Sequence, residues 1–198
     1  MHRIARVTDP LQKLFGSPAR IKLLRLFLYN PGLSFTIPQA AARARVPQKE
    51  ARREVALYLR AALVRRSRRS RAWRFILNRD FKYLAALQAL LLNAPARGED
   101  IVRRLRGAGG IKFVALAGIF VGDWDAKLDL LIVGDRLVSH KLASRIRRLE
   151  AELGKELRYA TLGSEDFGYR LNMNDKLLRD ILDYNHRIVL DRLGTGLK

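Results

Sequence analysis

Between Val46 and Asn78 the apolar residues change their period, and few folds accommodate such a change within a single short stretch. Ala51, Val55, Tyr58, Leu59 and Ala62 recur at steps of three and four, one stripe along a helix that Pro47 can open. From Leu63 that rhythm stops. Leu63-Val64-Arg65-Arg66 and Trp73-Arg74-Phe75-Ile76-Leu77 read as two short strands around the polar turn Ser67-Arg68-Arg69-Ser70-Arg71. An amphipathic helix therefore runs straight into an arginine-rich hairpin, and the helix face opposite the stripe carries Gln48, Lys49, Arg52 and Arg53.

The segment before it supplies two more helices. Ser17-Pro18 has the chemistry of an N-cap and a first-turn proline, opening a helix through about Tyr29 with Ile21, Leu24, Phe27 and Leu28 inward. Asn30-Pro31-Gly32 ends it. A shorter helix follows from about Thr36 to Ala44, with Ile37, Ala40 and Ala41 inward. Beyond the hairpin, Asp80 is expected to cap a helix with Phe81, Leu84, Leu87 and Leu91; being apolar on more than one side, it is expected to bury two faces.

Charge separates the two halves of the 198 residues. Residues 1–92 hold 20 basic and 4 acidic side chains, whereas residues 93–198 hold 19 and 15, so most of the formal charge of +20 lies with the helix and hairpin. Such an excess implies an anionic partner. Glu50 and Glu54 are expected to pair with neighbouring arginines for about 0.2–0.5 kcal/mol apiece. Trp73 is read as a packing residue of the hairpin. The chain has no cysteine, which removes disulfides, thiolate chemistry and Cys-based zinc sites, and its three histidines do not fall at metal-ligand spacing. No metal and no cofactor are expected. No apolar run approaches the ~18 residues of a membrane span, so the expectation is a cytoplasmic protein with no membrane partner.

After a linker at Asn93–Gly98 the pattern becomes α/β: a helix from about Glu99 to Arg106, a strand Ile111–Ala117, a second strand Leu128–Gly134 and a helix Ser139–Leu153. A strand Glu156–Leu162 follows, then a short helix capped at Ser164 and another from Asn174 to Asp183. The fold class is therefore α+β: residues 1–92 as one domain with a trailing linker helix, and residues 93–198 as a small α/β domain with a mixed sheet.

The run Leu14-Phe-Gly-Ser-Pro-Ala-Arg-Ile-Lys-Leu-Leu-Arg-Leu-Phe-Leu-Tyr-Asn-Pro31, with the short helix, the basic helix and the hairpin ending at Asn78, resembles the ArsR-like winged helix-turn-helix transcriptional regulators over about the first 92 residues. The resemblance implies a third helix in the major groove and a wing on the backbone or minor groove of double-stranded DNA. Carried onto this sequence, it makes Gln48, Lys49, Arg52 and Arg53 the base-reading candidates and Arg65, Arg66, Arg68, Arg69 and Arg71 the phosphate contacts. Physical chemistry is consistent with that division: Arg holds guanine edges and Gln adenine edges bidentately, whereas a short wing suits phosphate neutralisation. A homodimer would match two-fold operators.

From about Ile111 to Arg192 the chain is similar to the minimal nucleotidyltransferase domain. That family places Gly-Ser after its first strand, two aspartates one residue apart opening the second, and a third carboxylate on a later strand, together holding two magnesium ions. Here Gly118 is followed by Ile119, Lys127 stands at the first aspartate, Asp129 keeps the second, and Arg158 takes the third position. With 127 and 129 on one strand face, Lys127 would set an ammonium where a cation should bind. Asp123 and Asp125 are the substitutes at hand. The reading is a pseudoenzyme whose vestigial nucleotide cleft, Gly118, Gly122, Lys127 and Asp129, serves ligand sensing or oligomerisation, with a nucleotide or other anion as ligand. Two other readings stand beside it: an active nucleotidyltransferase of the antitoxin kind, and an RNA- or ribosome-associated binding protein.

Overall fold

Two helices of the amino-terminal unit begin where a side chain accepts an otherwise unpaired first amide hydrogen. In the computed structural model, which describes residues 10–67, 72–92 and 98–197, a short α1 (Pro10–Leu14) precedes α2 (Pro18–Leu28). Ser17 Oγ accepts from the Arg20 N–H at 3.2 Å, the cap foreseen. β1 (Ser34–Phe35) leads to α3 (Ile37–Ala44), where Thr36 and Gln39 close a reciprocal capping box. Arg45 turns the chain with φ 50°, and α4 (Gln48–Arg60) follows. Then come β2 (Val64–Ser67), β3 (Arg74–Leu77) and α5 (Leu84–Leu92).

β2 and β3 pair antiparallel from Val64 opposite Leu77 to Ser67 opposite Arg74, and β1 pairs on the far side of β3. The hairpin strands lie within a residue of their expected bounds, while Arg68, Arg69 and Arg71 fall outside the described residues. β1 is too short to carry a period, and contacts remote in sequence hold it: Arg74 Nε donates to Ser34 Oγ at 2.8 Å. Phe27 anchors the core edge-on between Phe35 and Tyr58, with centroids at 5.7 and 6.3 Å. Each side chain of this size contributes about 2–3 kcal/mol when fully buried.

Two expectations need correction here. Ala62 does not continue the α4 stripe: the helix ends at Arg60, and Ala62 is exposed at φ 58°. Asp80 caps nothing, since α5 starts only at Leu84; its carboxylate lies 3.5 Å from Arg65 instead. α5 packs Leu84, Leu87 and Leu91 on the core, while Leu90 and, just before the helix, Tyr83 are exposed.

The chain divides into two compact units, Met1–Ala94 with Glu150–Lys155, and Pro95–Leu149 with Glu156–Lys198. Of the expected linker only Gly98 lies among the described residues. The second unit runs α6 (Gly98–Leu105), β4 (Gly110–Leu116), a 3₁₀ turn (Gly118–Phe120), β5 (Leu130–Asp135), α7 (Ser139–Leu153), β6 (Tyr159–Leu162), α8 (Ser164–Asn172), α9 (Lys176–Leu182) and β7 (Arg187–Asp191). Its sheet has the order β6-β5-β4-β7; β5 and β6 are parallel and the other pairs antiparallel. β7 was not foreseen, because its alternation is half-buried and brief.

α8 and α9 cover one face of this sheet through Phe167, Leu178 and Ile181 against Phe113, Ala115, Leu131 and Val133. The alternate residues Val114, Leu116, Leu130 and Ile132 are equally buried, and α6 and α7 bring the buried Ile101, Leu105, Leu142 and Ile146. Ser164 is not the cap of α8: Gly163 holds that position, and the Ser164 N–H donates to Asp135 Oδ1 at 3.1 Å. The chain is thus mixed α+β with two sheets, one of them mixed. No helix among the described residues is long and apolar enough to cross a membrane.

Candidate nucleic-acid interface

The orientation of α4 is fixed from its inner side. Ala51, Glu54, Val55 and Tyr58 are buried, so a carboxylate interrupts the apolar stripe. Glu54 is fully buried and bound by Arg20 Nε at 2.8 Å and Nη2 at 3.4 Å, with Arg53 Nη2 at 3.5 Å. The principal partner is therefore not a helical neighbour but an arginine 34 positions earlier, on α2, and the Glu54 contact raises the Arg20 pKa. Tyr58 Oη donates to the Arg20 carbonyl at 2.7 Å, and burial pushes that phenol's pKa upward. Two polar contacts and an apolar stripe thus allow α4 little rotation about its axis.

That rotation sets the outer face. Gln48, Lys49, Arg52 and Arg53 are all exposed, as the helical spacing requires. Arg60 lies seven residues beyond Arg53 on the same face and is exposed too, and Arg45 projects from the turn just before the helix. Neither was singled out in the sequence, although the spacing from Lys49 to Arg53 to Arg60 was there to read. In the hairpin, Arg65 and Arg66 are exposed; Arg65 makes the long contact to Asp80, a solvated pair of small energetic weight. Arg66 stacks its guanidinium 5.4 Å from the Trp73 ring centroid, which gives Trp73 the packing role expected of it, on the surface rather than in the core.

Of the four residues of the expected cleft in the second unit, Gly118 and Asp129 lie against each other. Lys127 and Asp129 precede β5, which starts at Leu130, so they do not share a strand face. Lys127 Nζ binds the Asp180 carboxylate of α9 at 2.9 and 3.1 Å. Asp129 is fully buried and accepts four hydrogen bonds: from the Ile119 N–H at 3.1 Å, the Arg158 N–H at 2.8 Å, and Arg158 Nε and Nη2 at 3.1 Å each. Every acceptor direction of the carboxylate is taken up by fixed donors, and a metal ion would have to displace a guanidinium.

Gly118, with φ 53°, makes room for this arrangement: a Cβ there would collide with Asp129 Oδ1 and the Leu128 carbonyl. Gly122, with φ 84°, lies in a turn with open space around it. Asp123 Oδ1 accepts from the Asp125 and Ala126 N–H groups at 3.0 Å each, shaping the loop before β5. Among the described residues no cluster of three or more His, Asp or Glu is arranged to hold a metal ion. No protein-family model, curated protein or solved structure matches the chain.

Proposed function

We propose that the chain is a DNA-binding transcriptional regulator whose amino-terminal unit acts as a winged helix-turn-helix of the ArsR-like type. The observation that carries this reading is α4 itself: Glu54 and Tyr58 tie its inner face to Arg20, and Gln48, Lys49, Arg52, Arg53 and Arg60 occupy its outer face. The order of helix, short strand, two helices and basic hairpin supports it as well. In this reading α4 enters the major groove, where Arg and Gln recognise base edges, while Arg65 and Arg66 with Arg68, Arg69 and Arg71 neutralise phosphates. The exposed Tyr83 and Leu90 of the α5 region favour a homodimer on DNA.

The second unit is assigned a sensing or assembly role as a pseudo-nucleotidyltransferase. Support comes from Asp129, whose lone pairs are committed to Arg158 and two backbone amides, and from Lys127, held by Asp180. Incubation with ATP and magnesium should give no nucleotidyl transfer to any acceptor.

The decisive test is selection of bound sequences from random duplex DNA at near-physiological salt. Arg52→Ala and Arg53→Ala should relax preference at particular base pairs, by about 1–3 kcal/mol of discrimination each. Arg65→Ala and Arg66→Ala should weaken binding to all sequences alike. Equal losses on every sequence from all four variants would overturn the division, and preference for structured RNA at matched salt would replace DNA as the partner.

A further inference from the structure

By sequence the second half is close to charge balance, yet the fold sorts its charges. Residues 101–109 and 136–149, which form most of α6, most of α7 and the loops joined to them, contain eight Arg and Lys and no Asp or Glu. Of the acidic side chains of the helical layer on the other sheet face, Asp166, Asp175 and Asp180 are engaged with Arg170 or Lys127. On α7, Lys141, Arg145 and Arg148 fall at i, i+4 and i+7, a stripe beside that of the buried Leu142, Ile146 and Leu149.

Two neighbouring loops extend this strip. A Cβ on Gly107 would come within 3.6 Å of Arg145 Nη2, which sets Arg106 beside it, and the Val138 N–H donates to the Ala108 carbonyl at 2.8 Å, which joins the loop carrying Arg136. Among the described residues no carboxylate pairs with Arg106, Arg136, Lys141, Arg145 or Arg148. Of the acids near the strip, Asp135 is already held by Lys112 at 2.6 Å and by the Ser164 N–H, Asp100 is held by Arg103, and Glu150 and Glu152 at the carboxyl end of α7 are engaged elsewhere.

We infer that this α7 face is a second docking surface for the phosphate backbone of double-stranded DNA, separate from α4. The strip carries no exposed aromatic or large aliphatic side chain, so it lacks the anchors of a protein-protein interface and the apolar side of a membrane-surface helix, which here is buried in the unit's own core. From Lys141 to Arg148 is a rise of about 10 Å, and one DNA strand presents a phosphate about every 3.4 Å of axis, so three cations meet about three successive phosphates. Mounted on a helix packed to a sheet, they are held in place rather than trailing in solution. The choice of duplex DNA rests on the function proposed for α4; the phosphate-binding chemistry does not.

The experiment measures binding of the full chain to a random-sequence duplex by fluorescence anisotropy across a series of salt concentrations. Replacing Lys141, Arg145 and Arg148 together by Ala should lower the slope of log affinity against log salt by about 2–3 and the affinity at low salt at least about tenfold, equally for every sequence. The triple exchange Lys141→Arg, Arg145→Lys and Arg148→Lys should keep both values, and thermal unfolding should be unchanged in either variant. An unaltered slope in the Ala variant would overturn the inference, as would wild-type binding to phosphatidylserine vesicles in preference to the duplex. A reduced slope there, with Arg52→Ala and Arg53→Ala leaving sequence preference intact, would uphold this surface and remove the role proposed for α4.

Discussion

Among the described residues each unit buries one carboxylate completely and answers it with an arginine distant in sequence, Glu54 with Arg20 and Asp129 with Arg158, but the two pairs are built from different donors. Glu54 is bound by side chains, Arg20 and Arg53. Asp129 is bound by Arg158 and also by the N–H groups of Ile119 and Arg158, so the backbone of two segments converges on it. The first pair orients a helix whose outer face stays available. The second fills the place where the resemblance to a nucleotidyltransferase would put chemistry. One physical requirement, that a buried charge be fully paired, thus orients a helix in one unit and ties two backbone segments together in the other.

Removing both partners separates the two cases most sharply. Asp129→Leu combined with Arg158→Met orphans two backbone N–H groups, and should destabilise the second unit by on the order of 4 kcal/mol in urea unfolding. Glu54→Met with Arg20→Met leaves no backbone donor behind and should stay within about 1 kcal/mol of the wild type. Comparable losses from the two double variants would erase the distinction. Next in size, Arg158→Ala alone should cost on the order of 3 kcal/mol, toward the lower end for a severed buried pair because the guanidinium is partly solvated.

The smallest effect is one of pH. The Lys112 ammonium and the Ser164 N–H hold the Asp135 carboxyl at a pKa of about 2. Against an unfolded value near 3.9, this depressed pKa stabilises the fold above about pH 4, and the contribution fades as pH falls toward 2. Asp135→Asn should therefore flatten the acid limb of the stability profile in that window alone. A limb identical to wild type would show that the contact is not felt by folding.

Sequence carried the amino-terminal unit well because its elements announce themselves locally. Ser17 and Thr36 cap helices, Asn30-Pro31-Gly32 stops one, and the arginine-rich hairpin follows a clean change of period. The outer face of α4 followed from the same spacing. What escaped notice depends on partners distant in the chain: β1 and β7 are strands only through their neighbours, and Glu54 looked like a surface residue until Arg20 was placed beside it. The pairing of Asp129 with Arg158 belongs to that class, for the two substitutions are visible as separate departures and only the fold makes them one contact. Charge sorting in the second unit was hidden too, because counting along a chain averages over faces that folding separates.

Gly118 couples this buried pair to heredity. The space its missing Cβ leaves is occupied by an oxygen of Asp129, and that oxygen is held by Arg158. A side chain at 118 would strike that carboxylate, and loss of either charged partner would leave the other unpaired, so the three positions constrain one another. Lineages descended from this sequence should exchange the trio together or keep it whole, and a stepwise path from this arrangement to an open carboxylate site passes through unstable intermediates.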